Sequence, residues 1–92
     1  MANDKLDQKR TAKKYNEQIG RNLTTIRNKK QKSRNAIAEA LNVTYQQVAK
    51  FENGDNGLKG FQIYILKKEL KVPFETFFDG LDEVKEIAPC KK

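Results

Sequence analysis

The sequence predicts a compact, all-α domain of five helices with a polar N-terminal arm and a short C-terminal tail. Apolar residues recur at the three- and four-residue spacing of amphipathic helices, and residues suited to helix capping stand between these segments. No stretch alternates apolar and polar residues as a half-buried strand does. Because 92 residues allow one modest core, we expect an arm over residues 1–14, one domain over residues 15–80 and a tail over residues 81–92.

The arm and the first helix differ in their apolar content. Residues 1–14 are almost entirely polar, so we expect either a flexible, basic arm or a frayed extension of the first helix. The helix proper should cover residues 15–29, with a core face formed by Ile19, Leu23 and Ile26. Gly20 costs about 1 kcal/mol relative to alanine within a helix, and its presence there predicts close packing against a neighbouring helix.

Two short helices joined by a tight turn form the most constrained part of the sequence. They should span residues 34–41 and 45–53, with Ser33 and Thr44 as caps whose hydroxyl oxygens accept first-turn N–H groups. Asn42 lies at the bend and is among the few non-glycine residues that tolerate left-handed dihedral angles. The core-facing residues of this pair are Ile37, Ala38, Leu41, Val48 and Phe51.

Two further helices complete the predicted core. Residues 61–70 should form the fourth helix, and Pro73, a favoured first-turn residue, should open a short fifth helix that ends at Gly80. The apolar side chains of the fourth helix are Phe61, Ile65, Leu66 and Leu70, and those of the fifth are Phe74, Phe77 and Phe78. We expect Phe74 and at least one of the other two phenylalanines to lie in the core.

The composition excludes several classes of function. The chain has one cysteine, Cys90, and no histidine, which excludes an internal disulfide, a zinc site and a Cys–His or Ser–His catalytic pair. We find no glycine loop that could cradle phosphate, and we predict neither enzymatic activity nor a cofactor. No apolar run is long enough to span a bilayer and no secretory-type apolar block is present, so we expect a cytoplasmic protein.

The net charge of +7 is distributed unevenly along the chain. Residues 1–34 carry eleven basic and three acidic side chains, a net charge of +8, whereas residues 35–92 carry a net charge of −1. By itself this asymmetry fits a polyanion-binding surface and a solvated tail equally well. The turn-linked helices beside the basic half favour a nucleic acid, and hence a protein of the nucleoid.

The third helix carries the side chains best suited to base recognition. An α-helix fits the major groove of B-DNA, and with Val48 and Phe51 turned inward its outer face is polar. Glutamine can bond bidentately to adenine, and lysine can donate to the acceptors of guanine. Our base-reading candidates are Gln46 and Lys50, followed by Tyr45 and Gln47; any single one of them could instead be an ordinary exposed polar residue.

Phosphate contacts are predicted at both ends of this pair of helices. The free N–H groups that open the second helix lie beside Ser33 and Arg34, and together they suit an anionic oxygen. Ser33 is foremost a cap, although one hydroxyl can serve both purposes. The candidates are Lys30, Lys32, Ser33 and Arg34 before the pair, and Asn53, Asn56 and Lys59 after it.

Arg27 and Glu52 form a predicted structural ion pair. Both residues fall where the first and third helices should converge, and a forked guanidinium suits a carboxylate in a partly buried setting. We therefore expect this pair to fix the third helix to the rest of the domain.

These residues resemble a known family. Residues 19–80 are similar to the phage-repressor-like (Cro/repressor, Xre-type) helix-turn-helix domains of bacteria and phages, through Ile19, Leu23, Arg27, Ser33, Ile37-Ala38, Leu41-Asn42-Val43-Thr44, Val48, Phe51-Glu52-Asn53-Gly54, Leu70-Lys71-Val72-Pro73 and Phe77-Phe78. The resemblance implies a homodimer that binds operator DNA, usually as a repressor and sometimes as an antitoxin. The family commonly has glutamine in place of Arg34, and that glutamine contacts phosphate and braces the third helix. The resemblance implies that Arg34 contacts phosphate, but it does not decide whether Arg34 also braces the third helix.

A domain of this size reads only a few base pairs, so we expect a homodimer on a near-palindromic site in double-stranded DNA. The candidates for the dimer contact are Phe78, Leu81, Val84 and Ile87. The alternative function is that of an antitoxin or adaptor whose main ligand is another protein. RNA is a weaker candidate than DNA, because we expect few exposed aromatic residues apart from Tyr45.

Overall fold

The computed structural model describes the backbone of residues 4–84 and the side chains of residues 11–84. Within this range the chain forms five α-helices and no strand: α1 (Asp4–Lys29), α2 (Arg34–Leu41), α3 (Tyr45–Asn53), α4 (Gly60–Leu70) and α5 (Phe74–Phe77), followed by a 3₁₀ turn (Leu81–Glu83). The predicted all-α, five-helix class is confirmed. Ile87 and Cys90 lie outside the described residues.

Helix α1 begins at Asp4, well before the start at Tyr15 that its apolar pattern predicts. Residues 4–14 contain no glycine or proline and consist mainly of residues with good helix propensity, so the helix extends beyond the apolar pattern. Lys13 also lies against the loop after α3, with its Nζ 3.4 Å from Oδ1 of Asp55. Residues 4–14 are therefore helical and continuous with the first helix.

The hydrophobic core draws on all five helices. Its buried members are Leu23, Ile26, Ile37, Ala38, Leu41, Val48, Phe51, Ile63, Leu66, Leu70 and Phe77. Helices α1 and α3 approach each other closely at Gly20, where a Cβ atom would lie 2.6 Å from the carbonyl oxygen of Glu52. Only glycine fits at this crossing, which explains a residue that otherwise weakens α1.

The turn between α2 and α3 is built as its sequence predicts. The hydroxyl of Ser33 accepts the N–H of Ala36 at 3.1 Å, and that of Thr44 accepts the N–H of Gln47 at 3.1 Å. Asn42 ends α2 in the left-handed conformation, with φ 58° and ψ 47°. These local interactions fix where α2 ends and where α3 begins.

Two apolar aromatic side chains of the last two helices lie at the surface. Phe61 is 62% exposed, because the buried stripe of α4 is Ile63, Leu66 and Leu70, and Phe61 lies about 200° around the helix from Ile63. Phe74 is 40% exposed, and among the three phenylalanines that follow Pro73 only Phe77 is buried. The prediction that Phe74 lies in the core was wrong.

Candidate nucleic-acid interface

The outward face of α3 is polar and open to solvent. Val48, Phe51 and Glu52 point inward, whereas Tyr45, Gln46 and Lys50 are exposed and Gln47 is half-buried. The four base-reading candidates therefore share a helix whose opposite side belongs to the core. Because that inner side is tightly packed, the outer side chains project from a rigid support.

The carboxylate of Glu52 lies beneath α3, between two arginines. Nε of Arg27 donates to Oε2 at 2.7 Å, and Nε of Arg34 donates to Oε1 at 2.7 Å. The Glu52 side chain is only 2% exposed, so its charge is balanced by the guanidinium groups rather than by water. Arg27 also donates from Nη1 to the carbonyl oxygen of Lys32 at 3.0 Å, which ties the loop before α2 to the same cluster.

Arg34 connects this buried cluster to the exposed face. Its Nη1 donates to the hydroxyl of Tyr45 at 3.3 Å, and the guanidinium carbon lies 5.8 Å from the centre of the Tyr45 ring. Hydrogen bonding to Tyr45, and then to Glu52, raises the pKa of Arg34 above its ordinary value, so the side chain stays cationic. In the family that the sequence resembles, the glutamine at this position braces the third helix. Arg34 does so here through its contacts to Glu52 and Tyr45.

Sequence reasoning paired Glu52 with Arg27 and missed Arg34 as its second partner. Arg34 occupies the first position of α2, and its side chain crosses the turn to reach the inner side of α3. The sequence did contain a signal for this contact, namely charge. Glu52 is an acidic residue on the inner side of α3, and the two helices expected to pack against α3 each carry an arginine, Arg27 and Arg34.

The phosphate candidates lie in two groups, one at each end of the α2–α3 unit. Lys30 and Ser33 are exposed and Lys32 is half-buried in the approach to α2. Asn53 and Lys59 are exposed and Asn56 is half-buried around the loop that follows α3. The hydroxyl of Ser33 serves as the helix cap, while the backbone at the start of α2 retains N–H groups that no intrahelical carbonyl accepts.

The loop after α3 is held by α1, a relationship that sequence reasoning missed. A Cβ atom at Gly54 would lie 2.6 Å from the Cα of Glu17, and one at Gly57 would lie 2.9 Å from Oδ1 of Asn16. Helix α1 thereby supports the loop that carries the second group of phosphate candidates. Two glycines so close together were the signal of this approach.

The dimer candidates lie near the C-terminal end of the described residues. Phe78 is exposed, and Leu81 and Val84 are half-buried around the 3₁₀ turn. Among the side chains of residues 11–84, no group of three metal-binding residues occurs. In the part of the chain that is described, no helix is both long and apolar enough to cross a membrane.

This fold, with a solvent-facing third helix docked on a buried ion cluster, defines a small helical DNA-recognition domain. A family model described as Helix-turn-helix matches residues 23–77. The chain belongs to this family of Xre-type helix-turn-helix domains.

Individual relatives agree with the family match. The chain is 31% identical over 71 residues to uncharacterized HTH-type transcriptional regulators of Rickettsia conorii and Rickettsia prowazekii; the match covers 77% of this chain and 57% and 55% of the relatives, so it spans little more than half their length. An uncharacterized transcriptional regulator in the ATPase CF(0) region of Rhodospirillum rubrum is 35% identical over 46 residues, or 50% of this chain and 43% of its own. No solved structure gives a significant match.

Proposed function

We propose that the protein is a transcriptional regulator that binds operator DNA sequence-specifically, as a homodimer, and represses transcription. The observation that carries this proposal is the exposed face of α3, which presents Tyr45, Gln46 and Lys50 while Glu52 anchors the same helix from beneath. A helix presented in this way can enter the major groove without first reorganising. The names of the Rickettsia relatives support the regulatory role.

In this proposal the bases are read by side chains of residues 45–50 on the outer face of α3. Gln46 and Gln47 can bond to adenine, and Lys50 can donate to O6 or N7 of guanine. Ala49 is half-buried and small, so it allows the helix axis to approach the base edges.

Phosphate contacts from both ends of the α2–α3 unit would set the position of α3 in the groove. A phosphate at the start of α2 would meet free backbone N–H groups together with Ser33, Arg34, Lys30 and Lys32. Asn53, Asn56 and Lys59 would contact the backbone on the other side. Since the lysines and Arg34 among them neutralise phosphates, these cationic side chains would supply most of the salt-dependent affinity.

Arg34 would couple the two kinds of contact. Its guanidinium already bonds to Glu52 and Tyr45, and it lies at the helix N-terminus where a phosphate would bind. A phosphate held by Arg34 would therefore also fix the orientation of Tyr45. Phosphate binding and base recognition become interdependent in this arrangement.

Dimer formation would double the number of base pairs read and match a near-palindromic operator. The proposed contact surface includes Phe78, Leu81 and Val84, with Ile87 further along the chain. A dimer bound across a promoter would exclude the transcription machinery sterically, and its place of action would be the nucleoid.

Selection of bound sites from random duplex DNA tests the proposal. We expect an enriched motif with two related half-sites, which reports specificity and symmetry in one experiment. A variant in which Gln46 and Lys50 are both replaced by alanine provides the control, because it keeps the phosphate contacts and should enrich a different or weaker motif. Recovery of unenriched random sequence with the parent protein would contradict sequence-specific binding.

A further inference from the structure

A second set of exposed aromatic side chains lies on α4 and α5. Phe61, Tyr64 and Phe74 are 62%, 50% and 40% exposed. The ring centres of Tyr64 and Phe74 are 6.2 Å apart, and Phe61 precedes Tyr64 by one turn of α4. Three neighbouring aromatic side chains are thus open to solvent. The expectation that few aromatic residues apart from Tyr45 are exposed was wrong, and it was the reason for ranking RNA below DNA.

Lysines accompany these rings. Nζ of Lys67 lies over the Phe74 ring, 5.6 Å from its centre, and Nζ of Lys68 lies over the Tyr64 ring, 5.3 Å from its centre. Helical spacing places the two lysines and the two aromatic residues of α4 within an arc of about 120°, and Glu69, the one acidic residue of α4, lies outside that arc. Residues 59–75 carry four lysines and two glutamates, a net charge of +2. The aromatic–lysine face consists of Phe61, Tyr64, Lys67, Lys68 and Phe74.

This combination of side chains suits a nucleic acid whose bases are unpaired. Single strands bind where bases stack on aromatic rings and phosphates meet cations, whereas the bases of a duplex are already stacked on one another. The positions of the two ammonium groups show that the faces of the Tyr64 and Phe74 rings are open. Because the lysine stem is flexible, its ammonium group can move to a phosphate while a base takes its place over the ring.

We propose that the aromatic–lysine face binds single-stranded DNA or RNA, with bases stacked on its three rings and phosphates paired with its two lysines. The face shares no residue with the base-reading candidates of α3 or with the dimer candidates, so this activity is separate from operator binding. An acidic protein segment is the competing occupant. It would pair with the lysines and need only apolar contact with the rings, whereas base stacking uses the open ring faces that the structure presents.

Fluorescence anisotropy of the full chain with a labelled dT 12-mer and a labelled rU 12-mer tests the proposal. We expect the parent to bind both strands, because stacking and phosphate pairing do not depend on the 2′-hydroxyl. Tyr64→Leu with Phe74→Leu keeps an apolar surface and removes two stacking faces, so we expect both affinities to fall about 10-fold or more. Lys67→Gln with Lys68→Gln should weaken binding and reduce the slope of log affinity against log salt by about 1.4, since two phosphate contacts to a single strand are lost.

Matched controls separate this face from the rest of the basic surface. Tyr45→Leu is the ring control, because Tyr45 is 47% exposed and lies on α3. Lys29→Gln with Lys50→Gln is the charge control, since both residues are exposed and lie outside the aromatic–lysine face. We expect both controls to bind the single strands like the parent.

Several outcomes would overturn the proposal. One is a parent that binds neither strand, and another is a pair of ring and lysine variants that bind like the parent. Competition by inorganic polyphosphate that equals competition by unlabelled dT 12-mer at the same phosphate concentration would show that the bases contribute nothing. Tighter binding of a labelled peptide of alternating aspartate and phenylalanine than of the dT 12-mer would assign the face to a protein partner. Because no duplex is present, these outcomes are independent of whether α3 reads an operator.

Discussion

At the scale of single residues, Glu52 joins α3 to α1 and α2. Its carboxylate is buried, and it accepts hydrogen bonds from Arg27 and Arg34, which come from two different helices. Removing the carboxylate would leave two guanidinium groups close together with no anion between them. The loss of one partner from a buried ion pair costs far more than the pair contributes by forming.

We expect Glu52→Ala to lower the free energy of unfolding by about 3 kcal/mol, measured by urea denaturation. Glu39→Ala is the matched control, since Glu39 is an exposed carboxylate on α2 and its loss should cost less than about 0.5 kcal/mol. If Glu52→Ala lowered the free energy of unfolding no more than Glu39→Ala does, the structural role of Glu52 would be refuted.

A second prediction at this scale separates base contacts from phosphate contacts. Lys50→Ala should change the preferred base at one operator position, because Lys50 lies on the outer face of α3. Lys30→Ala should weaken all duplexes alike and reduce the slope of log affinity against log salt by about 1, since one phosphate contact is lost. Equal losses on all sequences for both variants would argue against base reading by Lys50.

At the scale of helices, the crossing of α1 and α3 determines how α3 is presented. The backbone of α3 approaches Gly20 too closely for any side chain. A larger residue would push α3 outward, away from the ion cluster around Glu52. The crossing thus links the packing of the domain to the position of the recognition surface.

We expect Gly20→Ala to destabilise the domain by about 2 kcal/mol, because overlap with the α3 backbone outweighs a gain in helix propensity of about 1 kcal/mol. Gly60→Ala is the control, as a Cβ atom there meets nothing within 4 Å; it should leave stability unchanged or raise it by up to about 1 kcal/mol. Thermal unfolding of the two variants distinguishes a packing constraint from a general effect of helical glycine. A stabilised Gly20 variant would refute the close approach.

At the scale of the whole molecule, the proposed DNA-binding surface and the proposed dimer contact involve different parts of the chain. The basic half and the exposed face of α3 form the proposed DNA side, whereas Phe78, Leu81 and Val84 around the acidic 3₁₀ turn form the proposed dimer side. If each subunit binds DNA with the first side and its partner subunit with the second, the symmetry of the dimer fixes the distance and the rotation between the two α3 helices. The operator must then match that geometry.

We therefore predict that five base pairs inserted between the half-sites of a selected operator will abolish high-affinity binding. Half a helical turn places the second half-site on the opposite face of the duplex, since one turn contains about 10–10.5 base pairs. A ten-base-pair insertion returns the second half-site to the same face of the duplex and serves as the comparison. Binding to both operators is measured by an electrophoretic mobility assay. Undiminished affinity after the five-base-pair insertion would indicate that the subunits bind independently.

Local features of the fold could be predicted from the sequence because short-range physics determines them. The caps Ser33 and Thr44 and the left-handed Asn42 each act within a few residues of chain, so the limits of α2 and the start of α3 follow from the residue types present. The inner faces of these helices follow in the same way from apolar spacing. Gly20 also indicated a close helix crossing, although not which backbone it would meet.

Contacts between distant segments required the tertiary structure. Whether Arg34 reaches Glu52, or the ring of Phe61 reaches the core, depends on the angles at which helices pack, and these angles arise from the whole core at once. Hydrophobic residues on an amphipathic helix can serve either the core or a partner, and periodicity alone does not separate the two. The sequence by itself determined the five helices and the polar face of α3; only the packed structure decided that two arginines share Glu52 and that aromatic side chains line α4 and α5.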